Sequence, residues 1–193
     1  MRAVVLAGAC AAWVGCKGAS PRPAAASAAA RTGSAADPAL YYPLAVGNSW
    51  TYQVTDGSGA HHDTIQIVGR DGPWFIDDHR GRIRVDSEGV RDADRYLLHS
   101  PLEPGARWSA VENLVVQRFE VTTTDAKVET KAGGFSGCVV VRNEQPLPKN
   151  QGKLVTEWTY APRVGLVQLV TQTVGPSGAR DQVRLELVAN HVR

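Results

Sequence analysis

From Leu40 onward, apolar and polar residues alternate in short runs, and turns rich in Gly, Pro and Asp separate the runs. Trp50, Tyr52 and Val54 alternate with Thr51, Gln53 and Thr55, the period of a strand with one aromatic-apolar face. Asp56-Gly57-Ser58-Gly59 then turns into a second strand, in which Ile65 and Ile67 share a face. Arg70-Asp71-Gly72-Pro73 leads into Trp74-Phe75-Ile76, followed by Ile83 and Val85 and a Ser87-Glu88-Gly89 turn. The same pattern predicts strands over 107–112, 114–124, 127–131, 137–143, 153–161, 165–174 and 180–190. No segment past residue 40 repeats every 3.6 residues, and Asp92 to Leu98 is the one stretch that admits a helical turn.

Three runs are apolar on both faces: Leu114-Val115-Val116, Val139-Val140-Val141 and Leu166-Val167. A one-sided sheet in water would not carry them. The expected fold is therefore all-β, with antiparallel sheets forming a curled sandwich or a half-open or closed barrel of about 10–12 short strands. Inward residues such as Trp50, Trp74, Phe119, Trp158 and Leu185 would fill its interior.

The first 39 residues read differently. Met1-Arg2 is a minimal positive start, and Ala3 to Gly15 is almost wholly apolar, a length that suits a signal peptide and is too short to span a bilayer. The stretch ends in Ala12-Trp13-Val14-Gly15-Cys16, which resembles the lipobox of bacterial lipoproteins, with Trp13 where leucine is usual. That resemblance implies a signal peptide over 1–15 and a diacylglycerol-bearing thiol at Cys16. Cys10, after Leu6-Ala7-Gly8-Ala9, is the competing candidate. Lys17 in the second mature position implies outer-membrane sorting in a Gram-negative host. Half of Ala19 to Ala36 is alanine, broken by Pro21, Pro23 and Gly33 and without an apolar stripe. This composition predicts a disordered linker over 16–38 and one β-domain over 39–193. As a flexible coil, such a linker reaches roughly 25 Å.

Charge and cysteines narrow the partners. The chain of 193 residues carries a formal +2. Arg2, Lys17, Arg22 and Arg31 against Asp37 leave +3 in the first 39 residues, and the remainder is −1 with both signs interspersed. That is not the footprint of a nucleic-acid binder. Cys138 is the one cysteine outside the export signal, so the domain forms no internal disulfide, and its place at the head of a valine run predicts a buried, inert thiol.

Several motifs fall in a fixed order. Pro43-Leu44-Ala45-Val46-Gly47-Asn48-Ser49-Trp50-Thr51-Tyr52 comes first, and Leu97-Leu98-His99-Ser100-Pro101-Leu102 with Gly105 and Trp108 second. Ala132-Gly133-Gly134-Phe135-Ser136-Gly137-Cys138 and Trp158-Thr159-Tyr160-Ala161-Pro162-Arg163-Val164-Gly165 follow. The set resembles a family of secreted bacterial domains, many of them lipoproteins, that open on PLxxGNxWxY. Lys131 and Arg163 depart from it, standing where proline and glycine are common. The resemblance implies a β-rich envelope domain and supplies no catalytic residue. Physically these residues are architectural: proline blocks pairing, glycine supplies the turn, and the aromatic begins the strand and buries. Pro43-Leu44-x-x-Gly47-x-x-Trp50 recurs with identical spacing as Pro101-Leu102-x-x-Gly105-x-x-Trp108, which predicts a duplicated lead-in to a strand.

Sites of chemistry are sparse. Gly134-Phe135-Ser136-Gly137-Cys138 lacks the last glycine and the following helix of a nucleophile elbow. His61 and Asp63 share a strand face, too few ligands for structural zinc. Asp77, Asp78, Asp86, Glu88, Asp92 and Asp94 are interleaved with arginines and lack calcium-loop spacing, so they read as solvated hairpins. The expectation is a non-enzymatic envelope lipoprotein without cofactor or metal, tethered by its lipid, that contacts a protein partner or serves a structural role. The alternative is a carrier holding a lipid or acyl chain in a barrel-like interior. Filled against empty interior volume separates the two.

Overall fold

The computed structural model describes residues 36–193. The signal peptide, Cys16, Cys10 and the linker as far as residue 35 lie outside the described residues. Twelve strands follow in chain order: β1 (Ser49–Asp56), β2 (Gly59–Asp71), β3 (Trp74–Asp77), β4 (Arg82–Asp86), β5 (Gly89–Arg91) and β6 (Tyr96–His99), then β7 (Arg107–Glu112), β8 (Val115–Thr130), β9 (Gly133–Pro146), β10 (Lys153–Ala161), β11 (Gly165–Gly175) and β12 (Gly178–His191). Among the described residues, the helical segments are two short 3-10 turns, Pro38–Tyr41 and Pro148–Asn150.

Every strand pairs antiparallel with its sequence neighbour except β6 with β7, and β12 returns to pair with β1. One sheet thus runs from β6 through β1 and β12 to β7 and curls into a nearly closed barrel. Side chains bridge the seam between its two edges. The Trp108 indole N–H donates to the Tyr96 carbonyl at 3.0 Å, and His99 stacks on Trp108 with ring centroids 6.0 Å apart. Arg95 pairs with Glu112 at 3.5 Å and lies over the rings of Phe119 and Trp158, 4.9 Å from each centroid.

Two apolar clusters fill the interior. The first gathers Tyr41, Ile83, Val90, Leu98, Leu102, Trp108, Phe119, Val121, Val139, Val141 and Tyr160, and so joins both edges of the sheet. The second holds Trp50, Tyr52, Ile67, Cys138, Ala161, Val167 and Leu187. Leu44 packs against both.

Five sequence expectations are corrected. The strands expected over 114–124 and 127–131 are one strand, β8, whose register against β9 shifts at Val121/Thr123, Thr123/Ala126 and Ala126/Val128, and whose alternation breaks at Thr123-Thr124, so that it looks like two. Asp92 to Leu98 holds no helical turn: the Asp92 carboxylate accepts from the backbone N–H groups of Asp94 and Arg95, and that turn feeds β6. Leu114-Val115-Val116 is not buried on either face but forms an exposed hairpin tip. Trp74 belongs to neither core; its ring is covered by the guanidinium groups of Arg82 and Arg84. Finally, Ala36 bridges to Leu102 and the Asp37 carboxylate caps the first 3-10 turn, so the domain boundary lies upstream of residue 39.

Candidate functional site

The two Pro-Leu-x-x-Gly-x-x-Trp segments adopt one local geometry. Gly47 has φ +95° and its N–H donates to the Ile67 carbonyl at 2.8 Å; Ile67 returns an N–H to the Asn48 carbonyl at 2.9 Å, and Asn48 bonds back to Ala45. Gly105 has φ +89° and donates to the Val121 carbonyl at 2.8 Å; Val121 returns to Ala106 at 2.9 Å, and Ala106 bonds back to Glu103. In each case the strand begins two residues after the glycine and carries a buried tryptophan, Trp50 or Trp108. Glycine is needed because L side chains rarely adopt that φ. The copies differ at their prolines: Pro43 is half-buried, whereas Pro101 is exposed and follows a cis peptide.

The remaining motif residues support these segments. The Trp50 indole donates to the Val164 carbonyl at 2.6 Å, and the Tyr52 hydroxyl to the Leu166 carbonyl at 3.0 Å. Gly165, at φ +106°, leaves room for the Trp50 indole: a Cβ there would sit 3.2 Å from its nitrogen. Arg163, where the resembling family has glycine, takes a positive φ of 61°. Leu102 and Tyr160 are buried, Trp158 is half-buried against Phe119, and Gly133 opens β9 at φ +124°. Burial pushes the Tyr42, Tyr52 and Tyr160 phenols well above the ordinary tyrosine range.

Cys138 is fully buried between β8 and β10, and burial raises its thiol pKa. A thiol reagent is expected to leave it untouched in the native protein and to modify it only after denaturation. Rapid labelling of the folded chain would show the thiol to be accessible.

The acidic cluster builds turns. The Asp77 carboxylate accepts from the N–H groups of His79 and Gly81, Asp78 from Gln66, and Asp86 from Glu88 and Gly89. Their oxygens thus complete hairpin ends, a role the alternation of charge did not reveal. Among the described residues, His61 and Asp63 belong to no group of three or more metal-ligating side chains; Asp63 faces His79 at 3.6 Å.

Two open depressions lie toward one end of the barrel. The registers place the β7–β8 turn, the β9–β10 loop and the β11–β12 hairpin at that end. An open depression of about 520 Å³ runs along the outer face over Arg107, Arg118, Glu120, Arg142 and Glu144, and one of about 590 Å³ continues past Pro146, Lys153 and Pro176. Arg118 and Glu144 line both. Ion pairs join Arg107 to Glu120 at 2.9 Å, Arg142 to Glu144 at 2.6 Å and Lys153 to Glu144 at 2.7 Å. The bonded Lys153 ammonium, with Arg142 beside it, holds the Glu144 carboxyl below the usual range. Beneath them, the half-buried amide of Gln145 and the buried amides of Gln117 and Asn143 form a chain that fixes the backbone. The Gln145 side chain donates to Gln117 and Asn143, and the Asn143 amide donates to the Arg118 carbonyl at 2.8 Å. Sequence reasoning missed this network, because its signal is only glutamine and asparagine on inward strand positions.

No protein-family model matches the sequence, and no curated protein matches it. Among solved structures, the chain is similar to a presumed exported protein with a YmcC-like fold from Bacteroides fragilis. The identity is 13% and the TM-score 0.45, over 79% of this chain and 99% of that one. It is also similar to a presumed lipoprotein from Parabacteroides distasonis, at 12% identity and a TM-score of 0.40, over 79% of this chain and 98% of that one.

Proposed function

We propose that the protein is an exported envelope lipoprotein, held to its membrane through Cys16, whose β-domain acts without catalysis through contacts on the outside of its barrel. One observation carries this reading: the interior is occupied by the protein's own side chains. Trp50, Tyr52, Trp108, Phe119 and Tyr160 all point into the two clusters and are buried there. A carrier of a lipid or acyl chain needs that volume for its cargo. The depressions on the described surface are open and edged by ion pairs, which suits a protein or headgroup contact better than an acyl chain. The outer face of β7–β10 also carries Arg107, Glu120, Arg142, Glu144 and Glu157, where a membrane-spanning barrel would carry an apolar band.

Native mass spectrometry of the protein extracted from its own membrane tests the reading. The expected species begins at Cys16, carries the mass of its acyl groups, and holds no further lipid inside the barrel. A 1:1 complex with an additional lipid that survives detergent exchange would favour the carrier. For the anchor, Cys16→Ser is expected to abolish fatty-acid labelling while Cys10→Ser still labels. Undiminished label on the Cys16 variant would overturn the assignment.

A further inference from the structure

Four of the exposed large apolar side chains among the described residues cluster at one place, whereas Val68, Val46, Val85 and Leu40 stand singly. Val111 is 65% exposed, Leu114 97%, Val115 51% and Val116 53%, all at the tip of the β7–β8 hairpin. Val111 and Val116 face each other across the ladder, and the turn between the strands is Asn113-Leu114. Both turn residues have positive φ, 49° and 65°. That conformation suits Asn-Gly and is strained for leucine. A leucine held there, in solvent, does nothing for the fold. Two residues past Val116 on the same strand face, Arg118 is exposed and has no carboxylate within ion-pair distance among the described residues.

We propose that this hairpin tip docks into the phospholipid surface of the membrane that tethers the chain. Leu114 and its valines enter the boundary between headgroups and acyl chains, and the Arg118 guanidinium meets lipid phosphate. The proposal rests on the lipid-anchored reading above, and the tether is what selects a membrane as the occupant. Nineteen residues lie between Cys16 and Ala36, and the coil that their composition predicts would reach roughly 25 Å. Ala36 bridges to Leu102, before the first residue of β7, while the tip lies beyond its last. Seven residues from Arg107 to Leu114 at about 3.3 Å each set the tip roughly 23 Å from that lower end. A tether of that length would match the distance from a membrane holding the tip back to the place where the chain joins the barrel. A linker matched to its span gives the highest effective concentration for the second contact. Lipid and tip would act as paired signals, as they do in other peripheral proteins.

The test uses the full acylated chain in vesicles of phosphatidylglycerol and phosphatidylethanolamine. Asn113→Cys places an environment-sensitive fluorophore beside the tip without removing its apolar residues; Cys138 is buried and Cys16 is acylated, so neither competes for label. The expected result is a blue shift with about a threefold rise in emission, quenched by spin labels near the headgroups. The rise should be lost in a Leu114→Ser, Val115→Ser background and diminished by Arg118→Gln. The same probe at Ser136, exposed near the start of β9 and so toward the other end of the barrel, should not respond. Protein that floats with the vesicles while the Asn113→Cys probe stays unchanged overturns the docking and leaves the anchor standing. Protein that does not float overturns both. A response only when a second envelope protein is added also overturns it and assigns the tip to that protein.

Discussion

Replacing Trp50 or Trp108 by alanine lowers the stability of the domain by about 3–5 kcal/mol in each case, the usual cost of deleting a buried large aromatic. The two indoles are 4% and 8% exposed, and each occupies a different core cluster. Each also donates its N–H to a backbone carbonyl far from its own strand, Trp50 to Val164 and Trp108 to Tyr96. Among the described residues, the Trp108 contact bridges the one junction between sequence-adjacent strands that no ladder joins. Trp108→Ala therefore removes packing against Phe119 and also a closure of the barrel. Conservative variants separate the two effects. Trp108→Phe keeps most of the ring but strands the Tyr96 carbonyl, at about 1–3 kcal/mol for a buried group left unbonded. Urea unfolding followed by circular dichroism measures all of these. A loss below about 1 kcal/mol for either alanine variant would end the shared structural role assigned to the two segments.

The agreement of those two segments goes beyond spacing. Gly47 and Gly105 differ by 6° in φ, and each donates to a buried apolar residue on the following strand that donates back to the carbonyl of the residue after the glycine. Each starts a run of six strands, β1–β6 and β7–β12. The halves join by a ladder at β1 and β12 and by side chains at β6 and β7. A glycine that must adopt positive φ, followed three residues later by a tryptophan that must bury, is a strong local constraint. That is why four residues with little flanking similarity suffice to repeat the geometry.

The local chain was legible wherever a strand alternates without interruption. β7 and β10 have the ends that the pattern predicts, 107–112 and 153–161. It was illegible where something other than burial sets the pattern. Irregular register with β9 between Val121 and Ala126 reverses the inward face of β8, so Lys127 to Lys131 reads as a separate strand. Asp92 holds two backbone N–H groups, and a turn made by one carboxylate leaves no period to find. Leu114-Val115-Val116 carries the composition of a core strand, and nothing local distinguishes it from Val139-Val140-Val141, two of whose residues are buried. Pairing order lies further out of reach: β1 bonds to β12 across about 140 residues, and no short-range pattern encodes that choice. The candidate contact surface inherits this limit. Its residues come from three hairpins that only the closed sheet brings to one end.

Two glycines are expected to be nearly as intolerant of change as the tryptophans. A Cβ on Gly89 would lie 2.1 Å from the Leu98 carbonyl oxygen, and a Cβ on Gly152 would lie 2.1 Å from that of Val174. Both neighbours are backbone, so no side chain can swing aside. Both glycines also hold positive φ, 149° and 103°. Alanine at either position meets backbone strain of about 1–3 kcal/mol and a steric overlap of about 1–3 kcal/mol, so each variant should lose roughly 2–5 kcal/mol. Gly57 and Gly69 provide the contrast, since neither has positive φ and neither has an atom within 4 Å of the added methyl. Alanine there should change stability by no more than about 0.5 kcal/mol. The Gly89 variant carries a further consequence, because Leu98 is fully buried in the first cluster and sits on β6, one of the two edges that close the barrel. Pushing its carbonyl outward loosens the seam, so hydrogen exchange should accelerate at Leu97 and Leu98 in Gly89→Ala more than at β10. Gly152→Ala should instead loosen the β9–β10 loop, whose Leu147 N–H bonds to the Gly152 carbonyl at 2.9 Å. Equal stability of all four alanine variants would mean that these close approaches do not constrain the chain, and the seam would then need another explanation than the packing described for it.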